Sequence, residues 1–255
     1  MTFNVAASAY DAFMGRFSRL LSPQMVDLAG LTAGQQALDV GCGPGALTSV
    51  LVERLGAANV AAVDPSAPFL EAVRTRNPGV TVVEATAEAL PFPDGAFDAA
   101  LAQLVVHFMH DPVGGIREMA RVTRSGGAVA ACVWDHAGAL GPLALFWTTA
   151  RELDPHAADE SDLPGARQGH LGQLFGAAGL TAVHETALAA DLTMPDFDAW
   201  WSPFERGVGP AGAYVAGLAP DARAALRDRC RAKLPDGEFV IQARAWAARG
   251  TVAAR

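Results

Sequence analysis

Leu38-Asp39-Val40-Gly41-Cys42-Gly43-Pro44-Gly45 is the stretch on which the reading of this chain turns. The run Ala37 to Val40 has the length and composition of a short buried strand. Glycines at alternate positions follow it, and a helix-like segment, Ala46 to Leu55, follows them. Glycines there permit positive φ and let a ligand approach the backbone closely. The start of the helix offers free N–H groups and a partial positive charge. That setting suits a phosphate or the carboxylate of an amino-acid ligand. Asp64 lies 19 residues beyond Gly45 and ends the next strand-like run, Asn59 to Asp64. An acid at such a strand end accepts both hydroxyls of a ribose. Turn and acid together fit a nucleoside ligand of either kind, a dinucleotide or an adenosyl compound. A turn whose glycines serve only packing is the alternative.

Outward from this turn, strands and helices alternate. Ala67 to Arg76 reads as a helix closed by Asn77-Pro78-Gly79. Val80 to Glu84, Phe97 to Leu101 and Ala128 to Trp134 read as further strands. A helix from Asp111 to Arg124 precedes the last of them. These strands are rich in Val, Ala and Leu rather than alternating, as strands buried on both faces are. Strand–helix alternation implies right-handed crossovers and a mostly parallel sheet, an α/β fold with helices on both faces. Residues 1–36 read as a helical lid, with Phe13, Phe17, Leu20 and Leu21 at helical spacing and a break at Ser22-Pro23. Residues 37–135 form the core. Residues 136–255 carry the rest of the sheet, at Ala182–Leu192 and Glu238–Ala247, with inserted cap helices. Residues 154–165 read as a mobile loop.

The chain has 255 residues, 27 acidic and 19 basic, for a formal net charge of -8. A nucleic-acid backbone calls for a basic footprint, so the expected partner is a small molecule. Cys42, Cys132 and Cys230 are odd in number and widely spaced, a poor disulfide framework that fits a reducing, cytoplasmic compartment. The N-terminus lacks a basic region followed by an apolar stretch, so no signal peptide is expected. No apolar run approaches the roughly 20 residues of a membrane span. Monomer and homodimer both remain open.

Gly41-x-Gly43-x-Gly45 preceded by Asp39 resembles the first motif of the class I S-adenosylmethionine-dependent methyltransferases. Later segments match that family in order. They are Glu84-Ala85-Thr86-Ala87-Glu88-Ala89-Leu90-Pro91-Phe92, then Phe97 to Gln103, Val106 to Pro112 and Arg121 to Gly127. The type 11 branch, which includes ubiquinone and menaquinone methyltransferases, is the most similar. The resemblance covers residues 36–134. It implies a Rossmann-like sheet of seven strands closed by 182–192 and 238–247, the last antiparallel. It also implies S-adenosylmethionine as cofactor. Gly41, Cys42, Gly43 and Gly45 would line its methionine part, with Asp39 near the amino group. Asp64 would hold the ribose, with Pro65 and Ser66 beside the adenine, and Ala87 and Glu88 at the adenine edge. Gln103 would face the methionyl or sulfonium region. Where the family usually has an Asp before the Ala of the adenine segment, this chain has Thr86, a hydroxyl in place of a charge.

Methyl transfer from a sulfonium needs placement of the acceptor, and a base only where the acceptor must lose a proton. His107 is the candidate catalytic base, with a packed histidine as the alternative; His110 reads as a surface or cap residue. Neither belongs to a recognisable metal-ligand cluster, and no metal is expected. Tyr10 and Arg16 are candidates to close over the cofactor, Arg16 on its carboxylate. Trp147, Trp200, Trp201 and Phe204 line an acceptor pocket or form core. Arg223, Arg227, Arg229, Arg231 and Lys233 mark a basic helix, a solvated face or a site for an anionic acceptor. Two other functions use the same turn: a nicotinamide-dependent oxidoreductase, for which no Tyr-x-x-x-Lys is found, and a non-catalytic S-adenosylmethionine-binding protein.

Overall fold

All four residues of the first strand, β1 (Ala37–Val40), are buried, and successive side chains enter different cores. A computed structural model describes residues 7–157 and 160–254. Beside β1 lie β2 (Val60–Asp64), β3 (Thr81–Glu84), β4 (Phe97–Gln103) and β5 (Thr123–Trp134). The sheet is completed by β6 (Thr181–Ala189) and by the last strand of the chain. Between these two come a pair of short strands, β7 (Leu192–Met194) and β8 (Phe239–Ile241), before β9 (Arg244–Thr251). The seven-stranded order is β3-β2-β1-β4-β5-β9-β6, and β7 pairs with β8 apart from it. Pairs from β3 to β5 are parallel, and β9 is antiparallel to both neighbours. This is the Rossmann-like, mostly parallel sheet expected from the sequence.

Helices cover both faces, which is why the strands read as continuous apolar runs. The first two helices are α1 (Ala7–Ala12) and α2 (Gly15–Ala29). They are followed by α3 (Ala46–Leu55), α4 (Ala67–Arg76) and α5 (Pro112–Val122). Leu21 and Met25 of α2 and Leu51 of α3 share one core with Ala37, Leu101 and Ala130. Ile116 and Met119 of α5 share the other with Leu38, Ala100 and Val129. The C-terminal part adds α6 (Ala144–Leu153), α7 (His170–Ala177), α8 (Phe197–Trp201), α9 (Gly209–Gly217) and α10 (Pro220–Arg231).

Three sequence expectations need correction. No break occurs at Ser22-Pro23: α2 runs through Pro23, and the kink falls between Ala12 and Gly15. An interior proline costs about 3 kcal/mol, but the stripe Phe17, Leu21, Met25 and Ala29 is buried against the sheet and keeps the helix continuous through it. Glu238–Ala247 is two elements, because β8 leaves the main sheet to pair with β7. The stretch 182–192 likewise splits between β6 and β7. Residues 1–6 of the expected lid and 158–159 of the expected loop lie outside the described residues.

Candidate functional site

The turn after β1 is formed in left-handed backbone, with φ of +69° at Gly41 and +52° at Gly43. A Cβ on Gly41 would stand 2.5 Å from a γ-methyl of Val105, whereas a Cβ on Gly43 would meet nothing within 4 Å. Gly41 is therefore a packing position and Gly43 an opening. The Gly41 and Cys42 N–H groups both donate to the Val63 carbonyl, at 2.8 and 2.9 Å. That pair ties the turn to the end of β2. Below it, Asp39 is buried and accepts the Thr48 hydroxyl at 2.6 Å. Burial pushes its carboxyl up to about 7, against the pull of that hydrogen bond. Cys42 is buried against Ala62, Leu70 and Val73. Burial, then the nearby Asp39 and Asp64, hold its thiol well above the ordinary range. Its place among these apolar side chains is that of a small packing residue.

Asp64 closes the other side of the turn. One carboxylate oxygen accepts the Gly43 N–H at 2.9 Å and the other the Ser66 N–H at 2.8 Å. Burial raises its pKa, and those two N–H groups oppose the rise. A carboxylate has about four lone-pair sites, so capacity remains toward the space beyond. That space is a cleft of about 590 Å³, within the usual range for a small-molecule site. It lies at the carboxyl ends of β1, β2 and β4, where open α/β sheets bind ligands.

Nine of the sequence candidates line this cleft: Tyr10, Gly41, Gly43, Asp64, Pro65, Ser66, Ala87, Glu88 and Gln103. Thr86 lines it too. Tyr10 packs edge-on against Phe69, ring centroids 5.5 Å apart, and burial pushes its phenol up to about 12. The Glu88 carboxylate accepts the His110 N–H at 2.8 Å, drawing the segment after β4 against the one after β3. Gln103 donates its amide N–H to the Ser18 carbonyl at 3.0 Å, while its Oε1 is buried with no hydrogen-bond partner among the described residues.

Sequence reasoning missed the apolar wall of Phe69, Leu104, Val105, Phe108 and Met109. Leu104 has φ +62°, a conformation that costs a leucine about 1–3 kcal/mol and that clusters at functional sites. No residue type signals it in advance. Arg76 was missed as well. It donates to the Pro44 carbonyl at 2.9 Å and pairs with Asp11, which pins the end of α4 to α1 and the glycine turn.

Four cofactor candidates do not line the cleft. Asp39, Cys42 and Gly45 lie beneath the turn, and Arg16 points toward the C-terminal extension, donating to the Ala199 carbonyl at 3.4 Å. His107, the candidate base, is also not brought to the cleft. It is buried, with its ring 6.0 Å from that of His136. The aromatic candidates are core. Phe146 stacks on Phe204 at 4.6 Å, and Trp200, Trp201 and Trp147 are buried around them. The basic helix is a paired surface. Arg227 bonds Asp198 at 2.7 Å, and Arg229 and Lys233 both reach Glu152.

A glycine turn, a strand-end acid and a cleft at the carboxyl edge of a Rossmann-like sheet define a nucleoside-binding α/β domain. Residues 38–131 match the family model described as a methyltransferase domain. An uncharacterized methyltransferase of Mycobacterium tuberculosis is 37% identical over 135 residues, 53% of this chain and 52% of that protein. The demethylmenaquinone methyltransferase of Renibacterium salmoninarum is 31% identical over 144 residues, 56% of this chain and 60% of that protein. The chain thus spans about half the length of the curated relatives it matches. The crystal structure of the YcgJ protein of Bacillus subtilis shares the fold, with a TM-score of 0.59 at 19% identity over 92% of this chain and 98% of that one.

Proposed function

We propose that this chain is an S-adenosylmethionine-dependent methyltransferase acting on a small-molecule acceptor. The observation that carries the reading is Gln103. Its orientation is set by the Ser18 carbonyl, which only the amide nitrogen can bond. That leaves Oε1 as a buried acceptor without a donor among the described residues, on the wall of the cleft that Gly43 and Asp64 also line. Leaving such an atom unpaired costs about 1–3 kcal/mol, and an ammonium group of a ligand removes the cost. The cofactor fits the residues present. Gln103 would accept from its amino group, the open backbone at Gly43 would meet its methionine part, and Asp64 would hold its ribose. Thr86, Ala87 and Glu88 would border its adenine.

When bound, S-adenosylmethionine supplies an activated methyl group for in-line displacement by the acceptor. The chain's own part is placement and exclusion of water. Orientation of this kind is worth roughly 7–11 kcal/mol. Phe69, Leu104, Val105 and Phe108 supply dry wall, and the Tyr10 phenol, protonated at neutral pH, lines the same cleft. In this reading α1, held by the Asp11–Arg76 pair, serves as the lid. The net charge of -8 supports a small-molecule acceptor over a polyanionic one. The three free, buried cysteines support a reducing compartment, the cytoplasm. Among the described residues, no helix is long and apolar enough to cross a membrane.

Calorimetric titration with S-adenosylmethionine, S-adenosylhomocysteine and NAD(H) tests the proposal. Binding of the adenosyl ligands, weakened in Gln103→Leu, is the expected result. Saturable NAD(H) binding without response to the adenosyl ligands would replace this reading with the oxidoreductase one. Binding without turnover across an acceptor panel would leave a non-catalytic binding protein.

A further inference from the structure

We propose that His107, His136 and Glu160 form a binding site for one divalent transition-metal cation, of which Zn2+ is the representative. The three are far apart in sequence, on the segment after β4, the loop after β5 and the loop before α7. One ligand atom from each lies within 4.8 Å of the other two. Two imidazoles and a carboxylate are a donor set suited to zinc and its neighbours among the divalent transition metals.

Independent observations point to a missing ligand. His107 is 6% exposed, and its Nδ1 has no hydrogen-bond partner among the described residues; neither has Nε2 of His136. The two rings meet edge to face, their centroids 6.0 Å apart. Glu160 is 5% exposed, and its Oε2 accepts the Trp147 indole N–H at 3.0 Å. That leaves Oε1 for a cation and already orients the carboxylate, as outer partners of metal ligands do. A small cavity of about 10 Å³, lined by Thr148 and Arg151 among others, adjoins two of the three residues, His136 and Glu160. It holds about one water, which matches a fourth coordination position on an ion with three protein ligands. Bonds of about 2.1 Å require the donors to draw inward on occupancy. Glu160 sits on a loop and can follow. The site lies outside the cleft, so it stands or falls separately from the methyltransferase reading.

The test uses tag-free full-length chain. It is stripped with chelator and titrated with Zn2+ by calorimetry, with Co2+ absorption as a spectroscopic reading of the ligand field. One equivalent of Zn2+ with a raised Tm is expected. His136→Ala and Glu160→Gln, both placed at the rim of the small cavity, are expected to weaken binding by about 100-fold or more. Both variants should keep the circular dichroism and S-adenosylhomocysteine affinity of the parent. No stoichiometric binding by the parent, or binding unchanged in both variants, would overturn the site. Binding lost instead on alkylation of the cysteines would do the same.

Discussion

The Asp64 carboxylate accepts the Gly43 N–H at 2.9 Å, so the acid that ends β2 also shapes the glycine turn that ends β1. One residue thereby holds the two halves of the cleft in register. Its second oxygen accepts from Ser66 at the start of α4, which fixes a third element.

Asp64→Asn keeps the shape but places an NH2 where one of two N–H donors already points. Hydrogen bonds to a charged group contribute about 1.5–3 kcal/mol, so affinity for S-adenosylhomocysteine should fall roughly 10- to 100-fold. Calorimetry reads this directly. Unchanged affinity in Asp64→Asn and Asp64→Ala would remove Asp64 from the ligand site.

Gly41 and Gly43 should fail differently. Gly41→Ala drives a methyl into Val105 in a backbone that disfavours side chains. Overpacking and strain together should cost about 3 kcal/mol, lowering Tm by roughly 6–12 °C in a chain of this size. Val105→Ala should recover part of that loss. Gly43→Ala meets open space, so its stability cost should be near 1 kcal/mol, while ligand affinity drops because the methyl enters the cleft. Equal loss of stability in both would contradict the packing assigned to Val105.

Asp39 gives a pH test. Its carboxyl is raised to about 7 in the folded chain by burial, above the ordinary value near 3.9 of an unfolded chain. Between those values the unfolded chain releases a proton that the folded chain keeps, so stability falls as pH rises from about 4 to about 7 and levels off above it. Asp39→Asn can still accept from Thr48 and carries no such dependence. The variant should gain on the parent across that window, by about 5 °C or more in Tm at pH 8. Parallel Tm curves would mean that Asp39 is ionised in the folded chain throughout.

Asp135 and Arg244 form an ion pair that ties the end of β5 to the start of β9, with Nε to Oδ2 at 2.9 Å. Asp135 is 1% exposed and also accepts the Gly138 N–H at 2.9 Å. Arg244→Met leaves that carboxylate buried without its cation, a loss of about 3–5 kcal/mol. Urea denaturation should show it as a lower midpoint. Adding Asp135→Asn to Arg244→Met should recover part of the loss, since the uncompensated charge goes with it. If the double variant is no better than the single, packing rather than charge accounts for the cost.

Local signals carried much of the core. The glycine turn, Asp64 and the apolar strands from Ala37 to Trp134 are written at short range, because backbone conformation and burial on two faces leave marks in residue type. The same signals misread Pro23, where tertiary burial of Phe17, Leu21 and Met25 outweighed a local helix-breaking preference. They also misread 238–247, where β8 has a partner that only the folded chain supplies.

What the sequence by itself determined was the frame: a parallel α/β sheet, a turn with an acid across from it, and the order of motifs. The tertiary structure decided which side chains face one another. It turned His107 away from the cleft and toward His136 and Glu160, and it sent Trp200, Trp201 and Phe204 into the core. It also left Gln103, in the cleft that Gly43 lines, with an oxygen unpaired among the described residues. Spacing along a strand or helix reports periodicity and burial. Contacts between distant loops depend on how the sheet twists and where the C-terminal extension folds back, and no local pattern encodes that.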